Sequence, residues 1–444
     1  MALEHSRFNH IAQDPSKHAW VLYNFATGRH VRLDALSYGL YLAAPENPDT
    51  PFARSLEKAG FLVHGDELAA LHHATNLTCY GSKTLMLTIC PTMGCNFACP
   101  YCFEEHRGGR MSEKTQNDLV AFIEQQLERF SFHSLCVVWF GGEPLLQPDI
   151  IASLSQRITH LADAHGVAYA SNIVTNGYGL DAATAQMLLE ARVTGLQVTL
   201  DGPNAPTHDA TRATRSGKGT FDRIVANLRA LPAGFQVKIR CNVGPHNIAL
   251  LDDMRQLVEN LNDASLSEFF LVPGIMDTDV ARNPENLGDA LKGAGYRSVN
   301  QALAELGFVE YDSIGAKMPG RFHGTFCGSQ RAHTYVIDED GDLYRCWEDC
   351  GDKAAAFGNV EAFDSFAAGV NPRATAYLET AWVGDDPQCG TCPILPLCMG
   401  ACPHRHKASG TRRCPWFKDD LDAYVLRLVD NCSHDEKPAQ SEHR

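Results

Sequence analysis

The stretch CPTMGCNFACPYCFEEH, residues 90–106, holds four cysteines within thirteen residues, three of them spaced Cys95-x3-Cys99-x2-Cys102. A structural zinc site takes four ligands, usually as two separated pairs. Here three thiols crowd one loop, and no fourth follows at zinc-like spacing. Three thiolates on a four-iron, four-sulfur cubane leave one iron without a protein ligand, where a small molecule can chelate. Asymmetric spacing suits that task, because a single loop wraps three corners. Zinc would need a remote fourth ligand. Cys90 ends the preceding apolar run and reads instead as a core cysteine.

Outward from this loop, strands and helices alternate. TLMLTIC, LCVVWF, AYASNIVTN, LQVTLDG, QVKIRCNV and EFFLVPG read as apolar strands. Between them lie five amphipathic helices, beginning with SEKTQNDLVAFIEQQLERF and ending with LLDDMRQLVENLND. Such alternation predicts βα units around a parallel sheet. Six units are too few for a closed eight-stranded barrel, so the expected fold class is α/β. It is a partial (β/α)6 TIM-like barrel over residues 81–275, with its chemistry at the carboxyl ends of the strands. The cysteine loop follows the first of them.

Residues 1–80 read as a small α+β module. WVLYNFATGRHVRL predicts a hairpin about Thr27-Gly28. Two helices follow, with Gly60 as a C-cap before a short strand. Residues 276–326 read as a linker region carrying one helix around SVNQALAELG. Residues 327–432 are rich in Cys, Gly and Pro, a composition that usually needs metal to hold a fold together. Residues 433–444 read as a disordered tail.

The chain has 444 residues, 44% of them hydrophobic, enough for large cores. Its formal net charge of -15 repels nucleic-acid backbones and anionic membranes, so neither is expected as a partner. No apolar run reaches the roughly 18 residues of a membrane span. The first residues lack an apolar signal core, which predicts a cytoplasmic protein. In that reducing setting, clustered cysteines among the sixteen point to metal or redox chemistry rather than disulfides.

The loop, with Phe103 directly after its last cysteine, resembles the signature of the radical S-adenosylmethionine (SAM) superfamily. The resemblance implies that the open iron chelates the amino and carboxylate groups of SAM. An electron from the cluster then cleaves the sulfonium, and a 5′-deoxyadenosyl radical abstracts hydrogen from a substrate. GGEP, Gly141 to Pro144, ends the second strand. Its glycines permit close backbone approach, and by resemblance Glu143 holds the SAM amino group. TNG, with Asn176 at its centre, ends the third strand, and LDGP (Leu200 to Pro203) ends the fourth. Arg240 and Asn242 alternate on the fifth strand and so share a face. Arg240 is expected opposite the SAM carboxylate and Asn242 opposite the ribose, with a structural arginine as the competing reading. DGPNAPTHDATR resembles a stretch common among peptide-modifying members; it also reads as a capped loop.

Further on, Cys327-x13-Gly341-x4-Cys346, then Cys389-x2-Cys392-x5-Cys398-x3-Cys402, then Cys414, resembles the seven-cysteine SPASM domain. That resemblance implies two auxiliary [4Fe-4S] clusters beside the SAM-binding one, three in all. Cys389, Cys392, Cys398 and Cys414 would hold one. Cys327, Cys346 and Cys402 would hold the other, its fourth corner open or filled; Cys350 is the local candidate for that corner and reads equally as a spare thiol. The sulfatase-activating branch has an aspartate directly after the cysteine equivalent to Cys346; here Trp347 stands there, so no catalytic residue carries over. Asp349 and Glu348 read as solvated turn residues.

The N-terminal module resembles the PqqD-like elements that hold leader peptides by strand addition; winged-helix-like modules look the same, and a purely structural cap is the competing reading. Together these resemblances imply a maturase that cross-links, epimerises or oxidises a ribosomally made precursor peptide. Flavodoxin or ferredoxin is the expected electron donor. A sulfatase-maturating enzyme, a small-molecule radical SAM dehydrogenase and a non-enzymatic zinc protein are the alternatives.

Overall fold

A computed structural model describes residues 2–275, 294–306, 324–364, 369–410, 412 and 414–432. Most of the expected linker and all of the expected tail lie outside the described residues. The chain divides into two compact units. The first contains described residues 2–79, 324–327 and 380–432; the second contains 80–275, 294–306 and 328–379.

In the first unit, β2 (Asn9–Asp14), β3 (Ala19–Asn24) and β4 (His30–Leu33) form an antiparallel meander, and β1 (Leu3–His5) pairs with β5 (Leu62–His64). The hairpin about Thr27-Gly28 is therefore present, and β2 adds a strand that its mixed polar sequence hid. Helices α1 (Ala35–Ala43) and α2 (Pro51–Ala59) follow, and Gly60 closes α2 at φ 83°. Leu22, Leu33, Tyr41, Leu56 and Phe61 form this unit's core. The helix Leu421–Cys432 is strapped to the meander by two side-chain contacts: His10 Nε2 to Asp422 Oδ1 at 2.7 Å, and the ion pair of Arg32 with Asp430 at 2.5 Å.

In the second unit, six parallel strands lie side by side in chain order. They are β6 (Thr84–Ile89), β7 (Ser134–Trp139), β8 (Ala168–Thr175), β9 (Val193–Thr199), β10 (Gln236–Val243) and β11 (Glu268–Ile275). Each predicted strand is present, and each predicted helix lies between its predicted neighbours. Ser112 caps the helix Glu113–Arg129 by accepting from the Thr115 N–H at 3.0 Å. Alternation along the strands divides the two faces of the sheet. Leu135, Val137 and Trp139 of β7, and Val237, Ile239 and Val243 of β10, are buried in one continuous core with helix residues such as Leu119, Phe122, Leu154 and Ile158. The opposite face of β10 carries Lys238, Arg240 and Asn242 and is less buried. Among the described residues β11 pairs only with β10, so the parallel run ends there.

One feature escaped sequence patterning. Strand β12 (Thr334–Ile337) joins β6 in parallel and continues through β13 (Asp342–Tyr344) to β14 (Gly358–Asn359), making a nine-stranded sheet. Four-residue and shorter strands leave too few positions for a period to register.

Candidate functional site

The cysteine loop runs from Cys90 at the end of β6 toward the helix at Glu113. Its backbone is docked on the GGEP turn that follows β7. The Gly142 N–H donates to the Thr92 carbonyl at 3.2 Å, and the Glu143 N–H to the Gly94 carbonyl at 2.8 Å. A Cβ on Gly142 would lie 2.3 Å from the Gly94 oxygen, so only glycine permits this approach. Gly141, at φ 110°, needs glycine for its backbone angle as well. On its other side the loop pairs with residues 213–215: Ala98 N–H to the Ala213 carbonyl at 3.2 Å, and Arg215 Nε to the Cys95 carbonyl at 2.8 Å.

Cys95, Cys99 and Cys102 are half-buried and free. Burial pushes the Cys95 and Cys102 thiols up to about 12; Glu143 acts the same way on Cys95, and Glu104 on Cys102. Burial beside carboxylates holds these groups as neutral thiols, and a coordinating metal ionises a thiol outright. The donor set therefore fits an iron–sulfur cluster. Among the described residues no three His, Cys, Asp or Glu side chains converge on a single metal ion.

Glu143 is buried at the end of β7 and receives three hydrogen bonds. Thr175 Oγ1 donates to Oε1 at 2.7 Å, the Leu145 N–H to Oε1 at 3.0 Å, and the Asn176 N–H to Oε2 at 2.7 Å. Burial raises its pKa while these donors pull it back down. A carboxylate offers about four acceptor positions, which leaves room for one more donor. Asn176 Nδ2 donates to Asn96 Oδ1 at 2.8 Å and so ties the third strand's end to the cysteine loop. GGEP, TNG and the cysteines, separate in sequence, come together as expected.

LDGP brings more than a turn. Asp201 is buried and accepts from the Tyr101 hydroxyl, from the Asn242 N–H at 3.0 Å and from Thr211 Oγ1 at 3.3 Å. Tyr101 lies between Cys99 and Cys102 in the loop, and Arg212 Nη1 donates to its hydroxyl at 2.8 Å. Arg212 is buried, its Nε has no hydrogen-bond partner, and its charge acts on Cys99. Asn242 Nδ2 also reaches Tyr101, at 3.3 Å. Residues 205–209 form a short helix capped by Asn204, where a capped loop was the competing expectation. Tyr101, Asp201 and Arg212 went unassigned in the sequence; the only sign was their place inside motifs already singled out.

Arg240 does share its face with Asn242, donating from Nε to Asn242 Oδ1 at 3.2 Å. Its guanidinium lies across Gly274 of β11, where an added Cβ would sit 2.0 Å from Cζ. The Phe103 ring centre lies 6.5 Å from that of Phe140, and Trp347 lies tilted 4.4 Å from Phe140 while donating from Nε1 to Thr88 Oγ1 at 2.9 Å.

The later cysteines separate. Cys389, Cys392, Cys398 and Cys414 lie in the first unit and act electrostatically on one another. Cys327 and Cys402 belong to that unit too, whereas Cys346 and Cys350 belong to the second. Cys350 Sγ is buried 3.7 Å from Cys90 Sγ, in an apolar group with Met93, Phe140 and Tyr344. Asp349 departs from expectation: it is buried and accepts from the Tyr377 hydroxyl at 2.6 Å rather than standing in solvent.

A thiol-rich loop seated at the carboxyl ends of consecutive parallel strands defines a class of cluster-dependent barrel enzymes. Residues 89–258 match the family described as the Radical SAM superfamily. The chain is 29% identical over 321 residues to the mycofactocin maturase MftC of Mycolicibacterium smegmatis, covering 70% of this chain and 76% of that one. It is 31% identical over 188 residues to an AdoMet-dependent heme synthase of Methanosarcina barkeri, covering 41% of this chain and 49% of the synthase. The solved structure of native anSMEcpe with bound AdoMet aligns at a TM-score of 0.58 and 17% identity, covering 78% of this chain and 99% of that one, a likeness of fold. No described helix is long and apolar enough to cross a membrane.

Proposed function

We propose that this protein matures a ribosomally made precursor peptide by SAM-dependent radical chemistry. The observation that carries the reading is the docking of the Cys95–Cys102 loop on the GGEP turn, with Glu143 buried beside it. The similarity to MftC, a maturase by name, favours a peptide as substrate. When bound, cluster and SAM supply a 5′-deoxyadenosyl radical that removes hydrogen from an unactivated carbon.

The chain's own residues hold and orient. Cys95, Cys99 and Cys102 would ligate the cluster. Glu143, anchored by Thr175 and Asn176, would accept from the SAM ammonium with its remaining acceptor position. Arg212 is better provided than Arg240 to meet the carboxylate, because it donates to Tyr101 of the cysteine loop, its charge acts on Cys99 and its Nε is unpartnered. Asn242 and Tyr101, linked to each other and to Asp201, would fix the wall against which the nucleoside rests. Phe103, Phe140 and Trp347 would exclude water from the radical's path.

Cys389, Cys392, Cys398 and Cys414 would hold an auxiliary cluster fully ligated by protein. The bond formed on the peptide is a cross-link, an epimerised centre or an oxidised side chain; flavodoxin or ferredoxin would deliver electrons. The N-terminal meander offers edge strands β2 and β4 for a leader peptide. The test is anaerobic reconstitution with iron and sulfide, then incubation with SAM and dithionite. 5′-Deoxyadenosine should form, and Cys95→Ala should abolish it. Protein that carries only colourless metal, or that forms no nucleoside product, overturns the reading.

A further inference from the structure

We propose that Lys418 is a positioning residue that raises the reduction potential of a cluster held by Cys389, Cys392, Cys398 and Cys414. The inference rests on the reading of those cysteines as cluster ligands.

Local backbone arranges the segments that carry Cys389, Cys392 and Cys398. Asp386 caps the turn Pro387–Gly390 by accepting from the Gln388 N–H at 2.9 Å and the Cys389 N–H at 3.0 Å. Cys392 is held one turn on, its N–H donating to the Cys389 carbonyl at 3.0 Å. Cys398 ends the helix Leu395–Cys398, and the next three residues, Met399, Gly400 and Ala401, all take positive φ of 45°, 83° and 63°. Two non-glycine residues in that region cost strain, which persists where surrounding structure fixes it. Burial pushes the Cys398 thiol up to about 12, and the Gly400 backbone opposes that rise. A Cβ on Gly400 would lie 2.6 Å from Arg412 Nη1, so glycine there leaves room for the guanidinium.

Onto this group Lys418 Nζ points directly, 3.3 Å from Cys414 Sγ. Its charge also acts on Cys392 and Cys389, and Arg412 acts on Cys389 from the other side. Asp386 supplies the opposing negative charge. A thiolate-ligated cubane becomes more negative with each electron it accepts. A cation and an N–H···S bond at the ligand sulfur therefore favour the reduced form, and charge, sulfur hydrogen bonds and solvent exposure are the terms that set such potentials. Lys418 supplies the first two at the most exposed of the four ligands, Cys414.

The experiment is a redox titration of anaerobically reconstituted full-length holoenzyme, followed by electron paramagnetic resonance, with iron counted per chain. In Lys418→Met one cluster transition should move to lower potential with iron unchanged, and Lys418→Arg should return it toward the wild-type value. Identical midpoints in wild type and Lys418→Met overturn the proposal. If Lys418→Met loses iron, Lys418→Gln decides: a lowered midpoint supports the role of charge, and an unchanged one overturns it. Failure of the cluster reading itself is visible separately, because Cys389→Ala would then leave the wild-type iron count unaltered; that result removes the proposal as well.

Discussion

The backbone N–H of Asn176 donates to the Glu143 carboxylate across 2.7 Å, joining the ends of β7 and β8 at a point buried from solvent. With Thr175 and Leu145 it completes a set of three donors on one carboxylate. Glu143 thus stands as the buried acceptor that aligns two strand ends as well as the proposed ligand for a cation.

Removing that acceptor should cost both stability and SAM binding. Glu143→Ala strands three buried donors and should lower unfolding free energy by about 2–4 kcal/mol. Glu143→Gln keeps one acceptor oxygen and should lose less. Urea midpoints and equilibrium dialysis with SAM check the two effects separately; a stable Ala variant with native SAM affinity would contradict both.

Arg212 and Arg240 make opposite predictions. If Arg212 meets the carboxylate of SAM, Arg212→Met should weaken SAM binding about 10- to 100-fold, as the loss of a charged hydrogen bond would. Arg240→Met should change it by a few-fold at most. Isothermal titration of the reconstituted enzyme distinguishes them, and the reverse order would restore Arg240 to the role its strand position first suggested.

The contact between loop and turn should tolerate no side chain. In Gly142→Ala the new methyl meets the carbonyl oxygens of Gly94 and Met93 at 2.3 and 2.5 Å, backbone atoms that cannot swing away. A loss of about 2–3 kcal/mol is expected, together with poorer iron retention. Thermal melts and iron assays would show it.

Acid should weaken the fold through His208. Burial, with Arg212 as a second cause, lowers its imidazole to about 4 from 6.5. The unfolded chain therefore binds the extra proton first as pH falls. The contribution is complete above about pH 6.5 and is lost between there and about 4, on the order of 2 kcal/mol by pH 5. Urea unfolding of wild type at pH 7 and 5 should show this loss, and His208→Gln should show less of it.

Sequence periodicity made the parallel strands and their helices legible, because apolar positions repeat at two residues in one and about three and a half in the other. The Cys95–Cys102 spacing, GGEP and TNG were legible for the same reason that they work: each is local, and its chemistry is written into adjacent residues. Glu143 could be singled out, but its three donors could not, since two of them arrive from β8.

The sequence by itself determined the six βα units, the loop that gathers three thiols, and the second group of cysteines. Tertiary structure alone decided that β12 extends the sheet beside β6, that the charge of Arg212 acts on Cys99 while its Nη1 donates to Tyr101, and that Cys350 lies against Cys90. It also decided that Asp349 is buried against Tyr377. The physical reason is range. Helix, strand and loop preferences act over a few residues, whereas burial and charge partners depend on which distant segments share a low-dielectric interior.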